Sequence, residues 1–264
     1  MLTLWWVGVA SLAPATLYAQ EASADWQFGA AIYGWLPDIG GQTTLPAGSS
    51  SIDIDVDTIL DHLKMTGMGA FEIQKGHWGA FTDLVYLDVG DSKSQTRHVE
   101  IDGNELTSGV TSNLNFDLKA VIWTLAGSYR AVASEQSTFD FLLGARLAGL
   151  KQELSWEFNG TFGALTAPPR TGSREESVDL WDGIIGAKGE FRLGAEHKWL
   201  VPYYIDVGTG DSDATWQAGL GIGYAFGWGD IDLLWRYLDY DLKSSRAIED
   251  MNFNGPAIGA KFHW

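Results

Sequence analysis

From Trp26 onward the chain alternates between two kinds of segment. One kind runs for about ten residues and puts an apolar or aromatic side chain at every second position. The other is polar, with Gly, Ser, Asp and Asn. A side-chain period of two belongs to extended backbone, and roughly ten residues is the length of a tilted strand that crosses a bilayer. Ten such segments stand out: Trp26–Leu36, Thr66–Lys75, Trp78–Asp88, Leu114–Arg130, Thr138–Leu150, Asp179–Leu193, Trp199–Val207, Ala214–Phe226, Asp230–Tyr240 and Phe253–Trp264. Their links alternate in length. Gly76-His77, Ala131–Ser137, Gly194–Lys198 and Gly227–Gly229 are short. Pro37–Met65, Val89–Asn113, Lys151–Val178 and Asp241–Asn252 are long, and Gly208–Asp213 is a brief exception among them. This sorting predicts an all-β fold, a transmembrane up-and-down antiparallel barrel of about ten strands, with eight or twelve as alternatives. Short turns and both termini then face the periplasm, and long loops face outward. A soluble β-sandwich has no reason to sort its loops this way.

Even spacing assigns side chains to faces. Trp78 with Tyr86, Trp181 with Phe191 and Trp216 with Tyr224 each point the same way, and are expected to form two aromatic girdles. Eight to ten residues of tilted strand rise roughly 20–25 Å, close to the height of a barrel's apolar band. The opposite parity holds the charges: Glu72, Asp83, Arg146, Asp182, Lys188, Glu190, Asp206, Asp232, Arg236 and Lys261, with Arg130 at the lower rim. A charge facing lipid near mid-bilayer costs up to about 2–4 kcal/mol, so these are expected in the lumen. Asp117 and Lys119 share parity with Val121, Trp123, Leu125 and Tyr129, and are expected above the membrane. Six acids against four bases plus Arg130 predict a bore largely closed by ion pairs. Gly219, Gly221 and Gly223 alternate on one face and would leave room for larger side chains from other strands. On the last segment Ile258, Ala260, Phe262 and Trp264 alternate outward and the chain ends on an aromatic. Ile258, Phe262 and Trp264 resemble the signal read by the outer-membrane barrel assembly machinery, an expected partner during biogenesis.

Composition narrows the class. Thirty-four acidic and 17 basic residues give a formal charge of -17, which excludes nucleic acid as a partner because phosphates need a basic surface. Thirteen Trp and 32 Gly suit a barrel with aromatic belts. Mean hydropathy of -0.06, with no later apolar run near the ~20 residues of a spanning helix, excludes a polytopic helical protein. Cysteine is absent, so disulfides, thiolate nucleophiles and Cys metal sites are excluded. The first residues predict an export signal, residues 1–19, followed by a barrel domain, 20–264. Leu2 to Leu12 is its apolar core, Pro14 interrupts it, and cleavage is expected after Ala19 or Ala24. No Lys or Arg precedes that core. The expected location is the outer membrane of a Gram-negative-type bacterium, in contact with its lipids.

The stretches Tyr33-Gly-Trp-Leu-Pro37, Met68-Gly-Ala-Phe-Glu72, Gly76-His-Trp-Gly-Ala-Phe-Thr-Asp83 and Tyr86-Leu-Asp88 resemble a widespread family of uncharacterised proteobacterial outer-membrane proteins. So do Tyr204-Ile-Asp-Val-Gly208 through Ser212-Asp-Ala-Thr-Trp-Gln217, Trp235-Arg-Tyr-Leu-Asp-Tyr240 and Gly255-Pro-Ala-Ile-Gly259. The resemblance covers nearly the whole mature chain. It implies an outer-membrane barrel and no assigned activity.

Candidate chemistry is sparse. Asp53-Ile-Asp-Ile-Asp-Val-Asp57 resembles a calcium loop, but Thr58 and Lys64 stand where an EF-hand needs Gly and a bidentate Glu. It is better accounted for as a strand extension, although divalent cations at the acidic loops are a conceivable partner. Asp57–Met65 could add one or two helical turns. An omptin-like hydrolase needs acids with an Asp-His couple at the outer rim, and a lipase needs a Ser-His pair. By topology His77, His197 and His263 fall at the periplasmic end. Only His62, beside Asp61, and His98, in the loop of Asp91, fall outside. No catalytic residue, cofactor site or metal site is expected. The expected function is a narrow or largely closed passive channel or a surface scaffold. An omptin-like or lipase-like hydrolase and an acidic-loop adhesin are the alternatives.

Overall fold

The computed structural model describes residues 25–45, 48–54, 57, 63–101, 104–162, 165–166, 170–242 and 248–264. The export signal, its cleavage sites and His62 lie outside them. The chain forms β1 (Trp26–Trp35), β2 (Asp38–Leu45), β3 (Gly48–Ile54), β4 (Leu63–Lys75), β5 (Trp78–Ile101), β6 (Asn104–Ala133), β7 (Ser137–Phe162), β8 (Leu165–Thr166), β9 (Arg170–Leu193), β10 (Trp199–Gly210), β11 (Ser212–Ala225), β12 (Asp230–Leu242) and β13 (Ile248–His263). Ten of these, in the order β1-β4-β5-β6-β7-β9-β10-β11-β12-β13, pair antiparallel, and β13 closes on β1. The closure runs from Gly29↔His263 to Trp35↔Ala257. Below it Phe28 and Trp264 exchange both main-chain hydrogen bonds, at 2.9 and 3.1 Å. Closure removes the edges that an open sheet would present, so each spanning strand finds its partners within the wall.

One end of the barrel, here the turn end, carries the first and last strand ends and the short connections. Gly76-His77 joins Lys75 and Trp78, which pair directly across the hairpin. Gly76 sits at φ 61°, a conformation open to glycine at little cost. In the Gly194–Lys198 connection Lys198 lies 2.5 Å from Glu196 and holds that carboxyl below its ordinary range by hydrogen bonding.

The opposite, hairpin end departs from the expectation of long loops. β5, β6, β7 and β9 are 24, 30, 26 and 24 residues long, against 12 and 14 for β10 and β11. Much of Val89–Asn113 and Lys151–Val178 continues the ladder, for example Asp91↔Phe116 and Gln152↔Glu176. What ends at Asp88 or Leu150 is the apolar alternation, because a strand beyond the bilayer no longer needs a lipid-facing side. Main-chain pairing needs no such alternation and runs on. The segment after Pro37 likewise forms the hairpin β2–β3, which extends the wall along β13 from Asp38↔Asn254 to Ile248↔Thr43. Of the acidic run, Asp53 lies on β3; residues 55–56 and 58–62 are outside the described set, and the end of the segment expected to be helical, Leu63–Met65, is instead extended and opens β4.

The wall separates two faces. On β6, Trp123, Leu125 and Tyr129 are exposed, while Ile122, Thr124, Ala126 and Ser128 between them are buried. Ile32 and Leu143 are each 72% exposed and Trp78 71%. Large apolar side chains left in water around a whole circumference would drive association, whereas lipid solvates them.

Candidate functional site

The site with chemistry is the bore, and it has three layers. At the turn end lies a cavity of about 570 Å³, bordered by Gln27, Arg192 and His263 at the rim and by Tyr204 above. Its walls carry a chain of ion pairs. Lys188 binds Glu72 and stands 3.8 Å from Asp140, which takes both forks of Arg130 at 2.8 and 2.9 Å. Lys261 stands 3.7 Å from Glu72, Arg192 pairs with Glu190 at 2.6 Å, and His263 Nε2 meets Asp230 at 2.5 Å. Asp232 lines the same cavity.

Midway up the bore, two arginines are engaged in separate networks. Arg236 Nη2 donates to Asp83 at 2.8 Å and to Gln217 at 3.0 Å, and Nη1 donates to the Tyr33 hydroxyl at 2.9 Å. Tyr33 in turn donates to Asp83. The guanidinium also lies 4.6 Å from the centre of the Trp35 ring. Arg146, fully buried, binds Asp206 through Nη2 and reaches Thr124 and Thr215 at 3.3 and 3.5 Å. Bonds from a charged donor in this dry setting are stronger than neutral ones.

Toward the hairpin end the bore is apolar. Trp35, Leu238, Tyr240 and Phe253 are at most 2% exposed and pack with Leu87, Ile122 and further inward side chains into one cluster. Trp35 and Phe253 are 6.0 Å apart at their ring centres. The Trp35 indole is fixed by a 3.2 Å bond to the Gly255 carbonyl.

The charged residues named from parity are all inside the wall: Glu72, Asp83, Arg130, Arg146, Asp182, Lys188, Glu190, Asp206, Asp232, Arg236 and Lys261. Ten of them fall into the turn-end cavity or the two arginine centres, whereas Asp182 accepts the Ser212 main-chain N–H at 2.9 Å, and the set does not form one continuous chain. Lys119 is exposed on the outer face, 3.6 Å from Asp88. Trp78, Trp181, Phe191 and Trp216 project outward, with Tyr86 and Tyr224 half-buried on the same sides. Ile258, Phe262 and Trp264 are exposed, and Trp264 stacks on Phe28 with ring centres 5.9 Å apart. Tyr204, Leu234 and Asp232 occupy the space beside Gly219, Gly221 and Gly223.

Sequence reasoning missed Asp140, Tyr33, Thr124, Gln217 and the plug. Asp140 is six residues from Arg146 on the same strand, so the same parity would have found it. Tyr33, Thr124 and Gln217 are neutral and carried no such signal. The plug was hidden because both faces are apolar there, as in Leu84-Val85, where Leu84 faces out and Val85 belongs to the cluster.

The three histidines with described side chains, His77, His197 and His263, all lie at the turn end; His77 Nδ1 is 2.7 Å from the Arg130 carbonyl. Among the described residues no group of three His, Asp or Glu is placed to hold a metal.

No protein-family model matches the chain, and no curated protein sequence matches it. Among solved structures it is similar to the outer membrane protease OmpT from Escherichia coli, with a TM-score of 0.56 over 94% of this chain and 100% of that one. This is the fold of an outer-membrane barrel. Identity there is 10%, so the likeness concerns the fold alone. The translocator domain of autotransporter NalP from Neisseria meningitidis matches 93% of this chain and 90% of that one at 16% identity and a TM-score of 0.37. Ail, the attachment invasion locus protein of Yersinia pestis, matches 92% of this chain and all of its own at 11% identity, with a TM-score of 0.32. The closed wall with its apolar exterior places the protein in the outer membrane, as an integral β-barrel.

Proposed function

We propose that this barrel is a largely closed surface scaffold and not an open channel, with its long hairpins outside the cell and both termini in the periplasm. The observation that supports the reading is the apolar plug above two buried arginine centres. Trp35, Leu238, Tyr240 and Phe253 belong to one buried apolar cluster toward the hairpin end, and side chains packed at interior density offer little room to a hydrated ion. The hairpins give the scaffold something to display. A crossing needs about 9–11 residues, and β6 has 30. In this reading the outward aromatics, Trp78 and Trp181 among them, contact lipid, the terminal Ile258/Phe262/Trp264 pattern is read by the assembly machinery, and the protein performs no rim hydrolysis.

Two measurements test it. Purified barrel in planar bilayers should show no steady conductance under salt that opens a sixteen-stranded porin. A large, stable open state in the unmodified protein would sink the reading. For orientation, protease added to intact cells should cut within 37–65, 89–113 or 151–178 and leave 131–137 untouched. Cleavage at 131–137 on intact cells would reverse the topology.

A further inference from the structure

The ion pairs of the turn-end cavity leave two opposite charges over. Glu72 holds Lys188, Asp140 holds Arg130, Glu190 holds Arg192 and Asp230 meets His263. Asp232 lines the same cavity, yet among the described residues it forms no ion pair, and its Oδ1 is buried without a donor. Lys261 is the cation left over. Its Nζ stands 3.7 Å from Glu72, which Lys188 already engages, and makes no hydrogen bond among the described residues. The two are neighbours in the wall. Lys261 on β13 pairs with Asp230 on β12, so Asp232 stands one inward position further along β12. Diagonal neighbours of this kind are about 7–8 Å apart. Gly223 keeps their charges from closing on each other. It lies opposite Asp232 on β11, the side away from Lys261, and a Cβ there would collide with Asp232 Oδ1. The carboxylate therefore leans over the glycine, away from the ammonium on β13.

We propose that this cavity binds a small zwitterion, with its ammonium on Asp232 and its carboxylate on Lys261; an α-amino acid is the simplest member of the class. A partly buried charge is costly to leave without a counter-charge. A zwitterion supplies both counter-charges through charge-assisted hydrogen bonds and adds no net charge to the paired groups around them. A lone cation or a lone anion would serve one group and strand the other. The volume of about 570 Å³ is that of a small-molecule site. The rim residues Gln27 and His263 are exposed, which gives the ligand an approach from the turn end. The site does not depend on whether the plug seals the barrel, so the conductance measurement and the binding test below can fail independently.

The test uses the full refolded barrel in a non-ionic detergent, with L-alanine, propionate and ethylamine as probes. The second lacks the ammonium of the first, and the third lacks its carboxylate. In saturation-transfer NMR, irradiating the protein should attenuate the L-alanine methyl signal and leave the single-charge probes nearly unaffected. L-Alanine should also raise the thermal midpoint with the logarithm of its concentration, as for any ligand that binds only the folded state. Asp232→Asn, and separately Gly223→Ala, should weaken L-alanine binding at least about tenfold, the size of one lost charged hydrogen bond. The first keeps the shape of the side chain and removes its charge. The second keeps the charge and displaces it, so it serves if the first does not fold. Propionate or ethylamine binding as well as L-alanine overturns the proposal, by reducing the cavity to an anion or a cation site. No transfer to L-alanine overturns it too, as does L-alanine binding that survives both substitutions.

Discussion

Replacing Arg146 by Ala should lower the stability of the folded barrel by about 3–5 kcal/mol, the cost of stranding a buried partner charge. Asp206 is 1% exposed, and Arg146 Nη2 is its ion-pair partner. Removing the guanidinium therefore leaves a carboxylate in the bore with no counter-charge and takes a donor from Thr124. Arg146→Met with Asp206→Leu should recover most of the loss, because two apolar side chains of similar size leave nothing uncompensated. Urea unfolding in lipid vesicles, followed through tryptophan fluorescence, provides the measurement. A midpoint for Arg146→Ala within error of the unmodified protein would show that the pair is not closed to water. Conductance should remain low in this variant, since the plug above it is untouched.

The plug decides the second large effect. Trp35→Ala with Phe253→Ala removes two rings that touch at 6.0 Å and are together the bulkiest contribution to the apolar layer. Each such truncation in a packed core costs about 3–5 kcal/mol, so the double variant should be much less stable. Any folded fraction should show ion steps in planar bilayers that the unmodified protein lacks. Heat-modifiable gel mobility identifies that folded fraction. Folded double variant with no conductance would move the seal to the arginine layer. The Trp35 change also removes the aromatic face beneath Arg236, so Arg236→Lys serves as its control: it weakens the stacking and the forked contact to Tyr33 and Asp83 while leaving the plug in place.

The period-two alternation was enough to determine the class of fold, the number of strands and the position of the short turns. Lipid on one side of the wall and side chains of other strands on the other force the pattern onto each crossing. The charges were legible for a related reason. Glu72 or Arg236 on the lipid side costs more than the strand can recover, so parity alone sends them inward. That rule weakens wherever no charge marks the inner face. Val85 and Leu84 are adjacent and both apolar, yet Val85 is buried in the bore and Leu84 is exposed outside. Tertiary closure decided which side chains meet: β12 and β5 are not neighbours in the wall, and only the curvature of ten strands brings Arg236 to Asp83. It also decided that the apolar inner residues form one layer across the bore, because that depends on the relative stagger of the strands. The extent of the hairpins was equally out of reach, since main-chain pairing beyond the lipid leaves no alternation to read. Sequence sets the face of each residue through the period of the strand; the partners across the bore follow from closure and stagger, which no single strand encodes.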